Sequence, residues 1–199
     1  MAREFGAYFD KFIGDAMIFY FGDSESKGVK QDANDCVRMA IEMQKRLKTL
    51  QSDWKQQGLI DQPFETRIGI NTGYCTVGNF GSEERMDYTI IGSEVNLAAR
   101  LESSAEAGGI LLASETYSYV KDWLLAEEQE EIIMKGFPKP VRTYRVKGIY
   151  EDLAAEGSVL RSEVEGLTIT IDLDQLRKRD KKSAIIKLEE AITQLNMLS

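Results

Sequence analysis

The chain has no histidine and only two cysteines among its 199 residues, and these shortages exclude much familiar chemistry. Without imidazole there is no Ser-His-Asp triad and no histidine-bound zinc. Cys36 and Cys75 are too few for an all-cysteine zinc site and form no disulfide framework. They are expected as small buried hydrophobes in a reducing compartment. Proline is scarce too, at three residues, while hydrophobic residues reach 43%, a composition that argues for a packed core. No apolar run approaches the ~18–20 residues that cross a bilayer, and no signal-peptide pattern opens the chain. A soluble, cytoplasmic domain with no membrane insertion of its own is expected, although a longer parent protein could be membrane-anchored.

Basic charge is in deficit. A net charge of -8 weighs against nucleic acid as a partner, because phosphate backbones want Lys and Arg in excess. The basic run Arg177, Lys178, Arg179, Lys181 and Lys182 is expected as a solvated helix start. What remains is chemistry by carboxylates, Lys, Arg and a hard metal such as magnesium. That inventory suits phosphoryl transfer, in which catalysis is mostly positioning and charge stabilisation.

Hydropathy patterning predicts an α/β organisation. Tyr8-Phe9 and Ala16–Phe21 read as strands around a turn at Gly14-Asp15. Val37, Ile41, Leu47, Leu50 and Trp54 share one helical face, with Asp32 placed to cap and Gly58 to stop the run. Arg67–Asn71 and Tyr74–Gly78 read as a hairpin turning at Thr72-Gly73, followed by a loop, Asn79–Asp87. A helix is predicted over Ser93–Glu102, capped by Ser93. Asn96 and Arg100 lie four residues apart on it and so project from one face of an otherwise small or apolar helix. A strand at Ile110–Leu112, a helix from Ser114, and strands near Glu131–Met134 and Thr143–Val146 complete a domain over residues 1–150. Residues 151–165 read as a linker. Residues 166–199 read as a strand–helix tail, with Leu167, Ile169, Ile171 and Leu173 alternating and Ile185, Leu188, Ile192 and Leu195 on one helical stripe.

Four segments together carry a family resemblance: Lys11-Phe-Ile-Gly-Asp15, Arg67-Ile-Gly-Ile-Asn-Thr-Gly73, Asp87-Tyr-Thr-Ile-Ile-Gly-Ser-Glu-Val-Asn-Leu-Ala-Ala-Arg100 and Met134-Lys-Gly136. In this order and spacing they resemble the catalytic domain of class III nucleotidyl cyclases, most closely the bacterial adenylate cyclases, over roughly residues 5–150. The resemblance implies a ferredoxin-like α+β domain that pairs head to tail as a homodimer. It also implies conversion of ATP to cyclic AMP and pyrophosphate with Mg2+ or Mn2+, in signal transduction, under a sensor domain upstream in a longer protein.

By position, Asp15 resembles the second of the family's two metal-binding aspartates. Lys11 resembles the adenine-selecting lysine and Thr89 its partner; a Lys donor suits the N1 acceptor of adenine, whereas guanine presents a donor there. Thr89 stands where many relatives carry Asp. Asn96 resembles the ribose-orienting residue and Arg100 the one that stabilises charge on the α-phosphate. Arg67 and Lys135 resemble triphosphate contacts. The family's first metal aspartate lies on a strand far upstream of the second, whereas only 14 residues precede Asp15 here. The expectation is therefore a cyclase domain lacking its N-terminal part. Its metal site would be short of a ligand and its activity reduced; the alternative is a nucleotide-binding or dimerisation module without turnover. Such a loss would leave a sheet edge uncovered, which the tail strand or a partner chain could cover.

Overall fold

The structure, a computed structural model, describes residues 1–133, 137 and 139–197. It divides into two compact units, Met1–Gly148 and Ile149–Ser199.

The first unit opens with a 3-10 turn at Ala2–Phe5, then β1 (Tyr8–Ile13) and β2 (Ala16–Tyr20). These two pair as an antiparallel hairpin through the Gly14-Asp15 turn, where Gly14 has φ +65°. The register slips by one residue between Phe9 and Lys11. Asp10 is therefore the extra residue of a β-bulge, a device that bends a strand and re-aims a side chain. Helix α1 (Val29–Gln56) buries Ala33, Val37, Ala40 and Ile41 along one stripe and packs along α3 (Ser114–Val120). It begins three residues before Asp32, so Asp32 is not its N-cap. Instead the Asp32 carboxylate sits in the first turn and accepts the Lys27 backbone N–H at 3.0 Å, answering a donor that has no partner in the helix. Gly58, at φ +70°, ends the helix as its sequence position foretold.

A four-stranded sheet in the order β3-β6-β8-β7 forms the centre, from β3 (Ile68–Ile70), β6 (Ile110–Ala113), β8 (Val141–Ile149) and β7 (Leu124–Ile132). β3 runs parallel to β6, which is buried at every position, and β6 is antiparallel to β8. The expected hairpin between Arg67–Asn71 and Tyr74–Gly78 does not form. Ile70 is buried in β3, which joins the central sheet, and Asn71 donates its amide to the Glu94 carbonyl and carboxylate rather than entering a turn. The expected loop Asn79–Asp87 is likewise a hairpin, β4 (Thr76–Ser82) with β5 (Arg85–Ile91), in full register from Thr76↔Ile91 to Ser82↔Arg85. β7 starts well before Glu131. Its run of glutamates resembles a loop in composition, but β7 is an edge strand, where charge is at home.

Helix α2 (Ser93–Ser104) lies against β3 and β6 and contributes Leu97, Leu101 and the following Ala105 to a cluster with Leu111 and Ala113. Ser93 is the first helical residue and makes no capping bond; Gly92 holds the cap position. The helix approaches β3 so closely that a methyl group on Gly69 would stand 2.2 Å from the Glu102 nitrogen and 2.3 Å from the Ala98 oxygen. Backbone on both sides leaves no flexible group to give way. Gly69→Ala is expected to destabilise the unit by on the order of 3 kcal/mol, about the upper end of overpacking costs. That lowers Tm by roughly 6–12 °C for a chain of this size. A thermal unfolding curve checks this; an unchanged Tm would show that α2 is free to slide.

The second unit holds α4 (Tyr150–Ala155), β9 (Val159–Val164), β10 (Leu167–Asp172) and α5 (Lys181–Asn196). Residues 151–165, read as a linker for their Ala, Glu, Gly and Ser content, thus carry a helix and a strand. β10 pairs with β9 at all six positions through a turn at Gly166, φ +81°. The tail strand finds its hydrogen-bonding partner in β9, within its own unit. α5 leaves Ile185, Ile192 and Leu195 exposed within this unit. Among the described residues, no helix is long and apolar enough to cross a membrane.

Candidate active site

The first unit presents its polar candidates on two kinds of support. α2 has one face committed to the core, with Leu97 2% and Leu101 0% exposed. On the other face Asn96 and Arg100 are exposed, one helical turn apart, and make no hydrogen bond or ion pair among the described residues. Arg67, just before β3, is exposed and equally unengaged. An amide and two guanidiniums without a partner among the described residues have donors that a ligand can use.

The β1–β2 hairpin supplies the second group. Asp15 occupies the turn with its carboxylate exposed, and Lys11 lies on β1 with its side chain 39% exposed. Thr89 on β5 is buried and meets the hairpin through Asp10. The Asp10 side chain is almost fully enclosed, 1% exposed. Its Oδ2 accepts the Thr89 hydroxyl at 2.9 Å and lies 3.9 Å from the Lys11 ammonium. Its Oδ1 is buried with no partner. So Lys11 and Thr89 are brought together around a carboxylate that the sequence had not marked. Nothing in the sequence announces the bulge that turns Asp10 inward. Lys135, with Met134 and Gly136, lies outside the described residues.

Nearby phenols reflect this negative surround. Tyr20 is pushed above its usual pKa by burial first, then by Asp23, Tyr88, Asp10 and Tyr8. Tyr88 is pushed up chiefly because its hydroxyl donates to Asp23 at 2.9 Å, which favours the neutral phenol. Neither tyrosine is an anion at neutral pH.

The cysteines differ from expectation in one respect. Cys75 is exposed, at the approach to β4, and is not a core residue. Cys36 keeps some accessible surface, but burial around its thiol pushes the pKa up to about 12. Burial and the Glu94 carboxylate raise Cys75 as well. With the thiol form favoured, Cys36 is a poor nucleophile at pH 8. Iodoacetamide at pH 8 is therefore expected to label Cys75 slowly and leave Cys36 intact until denaturant is added. Equal rates for Cys36 in the native and unfolded chain would contradict its enclosure.

A divalent metal needs oxygen ligands. Among the described residues no three His, Cys, Asp or Glu side chains gather. Mg2+ is commonly held by only one or two carboxylates together with substrate phosphates and water. The exposed Asp15 carboxylate fits that looser mode and no tighter one.

The first unit is similar to known proteins. The family model described as "Adenylate and Guanylate cyclase catalytic domain" matches residues 2–148. The crystal structure of the adenylyl cyclase CyaB from P. aeruginosa is 53% identical, with a TM-score of 0.67, covering 73% of this chain and 74% of that one. The guanylyl cyclase Cya2 is 35% identical, with a TM-score of 0.66, covering 74% and 73%. Adenylate cyclase 1 of Rhizobium meliloti (strain 1021) is 30% identical over 141 residues, 70% of this chain. The chain spans between 6% and 29% of the length of the first curated relatives it matches. Motif, fold and matched span coincide: the chain belongs to the family of class III adenylate and guanylate cyclase catalytic domains.

Proposed function

We propose that this chain is the catalytic domain of an adenylate cyclase, converting ATP to 3′,5′-cyclic AMP and pyrophosphate at a site shared by two copies. The observation that carries the proposal is the outward pair Asn96 and Arg100 on a helix whose opposite face is locked into the core. Groups fixed before the substrate arrives need no reorganisation when charge develops. Lys11 donates to adenine N1 while Thr89 takes the exocyclic amine, and Asn96 orients the ribose. Arg67 and Lys135 hold the outer phosphates. As the 3′-oxygen attacks the α-phosphate and pyrophosphate leaves, Arg100 meets the charge that accumulates there. Mg2+ or Mn2+ bound with the triphosphate, on Asp15, would supply charge neutralisation and a more acidic 3′-hydroxyl.

A second copy of the chain is part of the proposal. Phe12 and its cross-strand partner Met17 are 65% and 45% exposed, with Ile13 beside them at 59%, and Met86 on β5 is 59% exposed. Apolar side chains standing out of two hairpins are surface in want of a partner. The division into residues 1–150 as catalytic domain, with 166–199 appended, belongs to the same proposal. So does a cytoplasmic setting with a sensor domain elsewhere in a longer protein, in keeping with the short share of its relatives that the chain spans.

The alternative reading is a nucleotide-binding module without turnover. Incubation with ATP and Mg2+ or Mn2+, scoring cyclic AMP and ATP binding in parallel, separates the two. Cyclic AMP supports the enzyme; binding without product supports the module; neither binding nor product overturns both.

A further inference from the structure

Asp10 is buried, charged and unused by the scheme above. A Thr hydroxyl carries one proton and two lone pairs, and normally turns to donate or accept as its neighbour requires. At Thr89 that freedom is gone. Its proton is given to Asp10 Oδ2 at 2.9 Å, and both side chains are enclosed, Thr89 at 6% and Asp10 at 1% exposure. The bulge at Asp10 aims the carboxylate across from β1 to β5, and the Lys11 ammonium 3.9 Å away offsets its charge. The unpartnered Oδ1 is a cost, because a buried acceptor without a donor destabilises the fold.

We propose that Asp10 is a positioning residue for nucleotide selection: by holding the Thr89 proton it makes Thr89 a pure acceptor, which accepts a 6-amino purine and repels a 6-oxo one. This rests on the Lys11–Thr89 base pocket proposed above. In that pocket Lys11 reads N1 and Thr89 reads position 6. A hydroxyl free to turn would donate to the O6 of guanine as readily as it accepts from the amine of adenine. Selection at position 6 therefore comes from the residue behind Thr89.

Two nucleotides of equal bulk test this in the full chain: N6-methyl-ATP, with an N–H at position 6, and 6-methoxypurine riboside triphosphate, with an oxygen there. Both keep N1 as an acceptor, so Lys11 treats them alike. Their affinities, read by displacement of a ribose-labelled fluorescent ATP, need no turnover. The unmodified chain is expected to prefer N6-methyl-ATP by about tenfold or more, the effect of setting acceptor against acceptor in a buried site. Asp10→Leu, which fills the space without an acceptor, is expected to shrink the preference to within about threefold. Asp10→Asn, whose amide oxygen still accepts the Thr89 proton, is expected to restore it. Equal affinities in the unmodified chain overturn the proposal even if Asp10→Leu does not fold, as does a preference that survives Asp10→Leu. Failure of the base pocket itself looks different: Lys11→Glu and Thr89→Val would then both leave ATP binding unchanged, and the role of Asp10 falls with it.

Discussion

Replacing Arg100 with alanine is expected to reduce ATP turnover about 10³-fold, with ATP affinity falling less than about tenfold. The asymmetry follows from where the residue sits. Arg100 is exposed on α2 and bonded to nothing among the described residues, while Leu101 beside it is fully buried and holds the helix. Removing the guanidinium takes no hydrogen bond or ion pair from the described residues, so stability should move by less than about 0.5 kcal/mol. A cation that meets charge only as it develops lowers kcat far more than it raises KM. Arg100→Lys is expected to recover little, because an ammonium on a flexible stem does not reproduce a planar, two-pronged donor. The assay is steady-state cyclic AMP production beside a thermal melt. Unchanged kcat would remove Arg100 from the reaction; a collapsed Tm would mean that it serves the fold instead.

The second large effect is expected at Lys11. Lys11→Glu should weaken ATP binding about a hundredfold and shift the ratio of GTP to ATP affinity upward. Two terms act together. The donor to adenine N1 is lost, and a second carboxylate is placed near the enclosed Asp10, whose oxygen lies 3.9 Å from the native ammonium. Like charges in a poorly solvated place repel strongly. Lys11→Met separates the terms, since it removes the donor without adding charge; a loss of about tenfold is expected from it. Competition against fluorescent ATP measures both. ATP affinity unaltered in Lys11→Glu would count against base recognition by this residue.

Much of the architecture could be read from the chain alone, for identifiable reasons. The β1–β2 hairpin was legible because apolar alternation meets a turn dipeptide at Gly14-Asp15. α1 and α2 are legible because Val37 and Ile41, or Leu97 and Leu101, recur at helical spacing, with a glycine stop after α1; the cap expected at Ser93 falls instead on Gly92. The mistakes share a cause: strand pairing is a property of two segments, and the sequence displays them one at a time. Thr72-Gly73 looks like a tight turn, yet burial of Ile70 against Leu112 outweighs that local preference. Asn79, Gly81 and Ser82 look like loop residues, yet opposite Tyr88, Met86 and Arg85 they complete a ladder. Residues 151–165 have linker composition, and β9 becomes a strand because β10 follows within turning distance. At the site, Lys11, Asp15, Asn96 and Arg100 were marked by resemblance and by spacing. Asp10 was passed over, because a one-residue bulge reverses the face of a side chain without leaving a trace in composition.

An active site assembled from two copies, one giving Asp15 and the other Arg100, can be probed by subunit mixing. Asp15→Ala and Arg100→Ala chains should each be nearly inactive alone. Unfolded together and refolded at equal concentration, they should recover about a quarter of the unmodified rate, because about half the dimers are mixed and each mixed dimer holds one intact site of two. Mixtures that pair normally but make no more cyclic AMP than either variant alone would contradict a shared site.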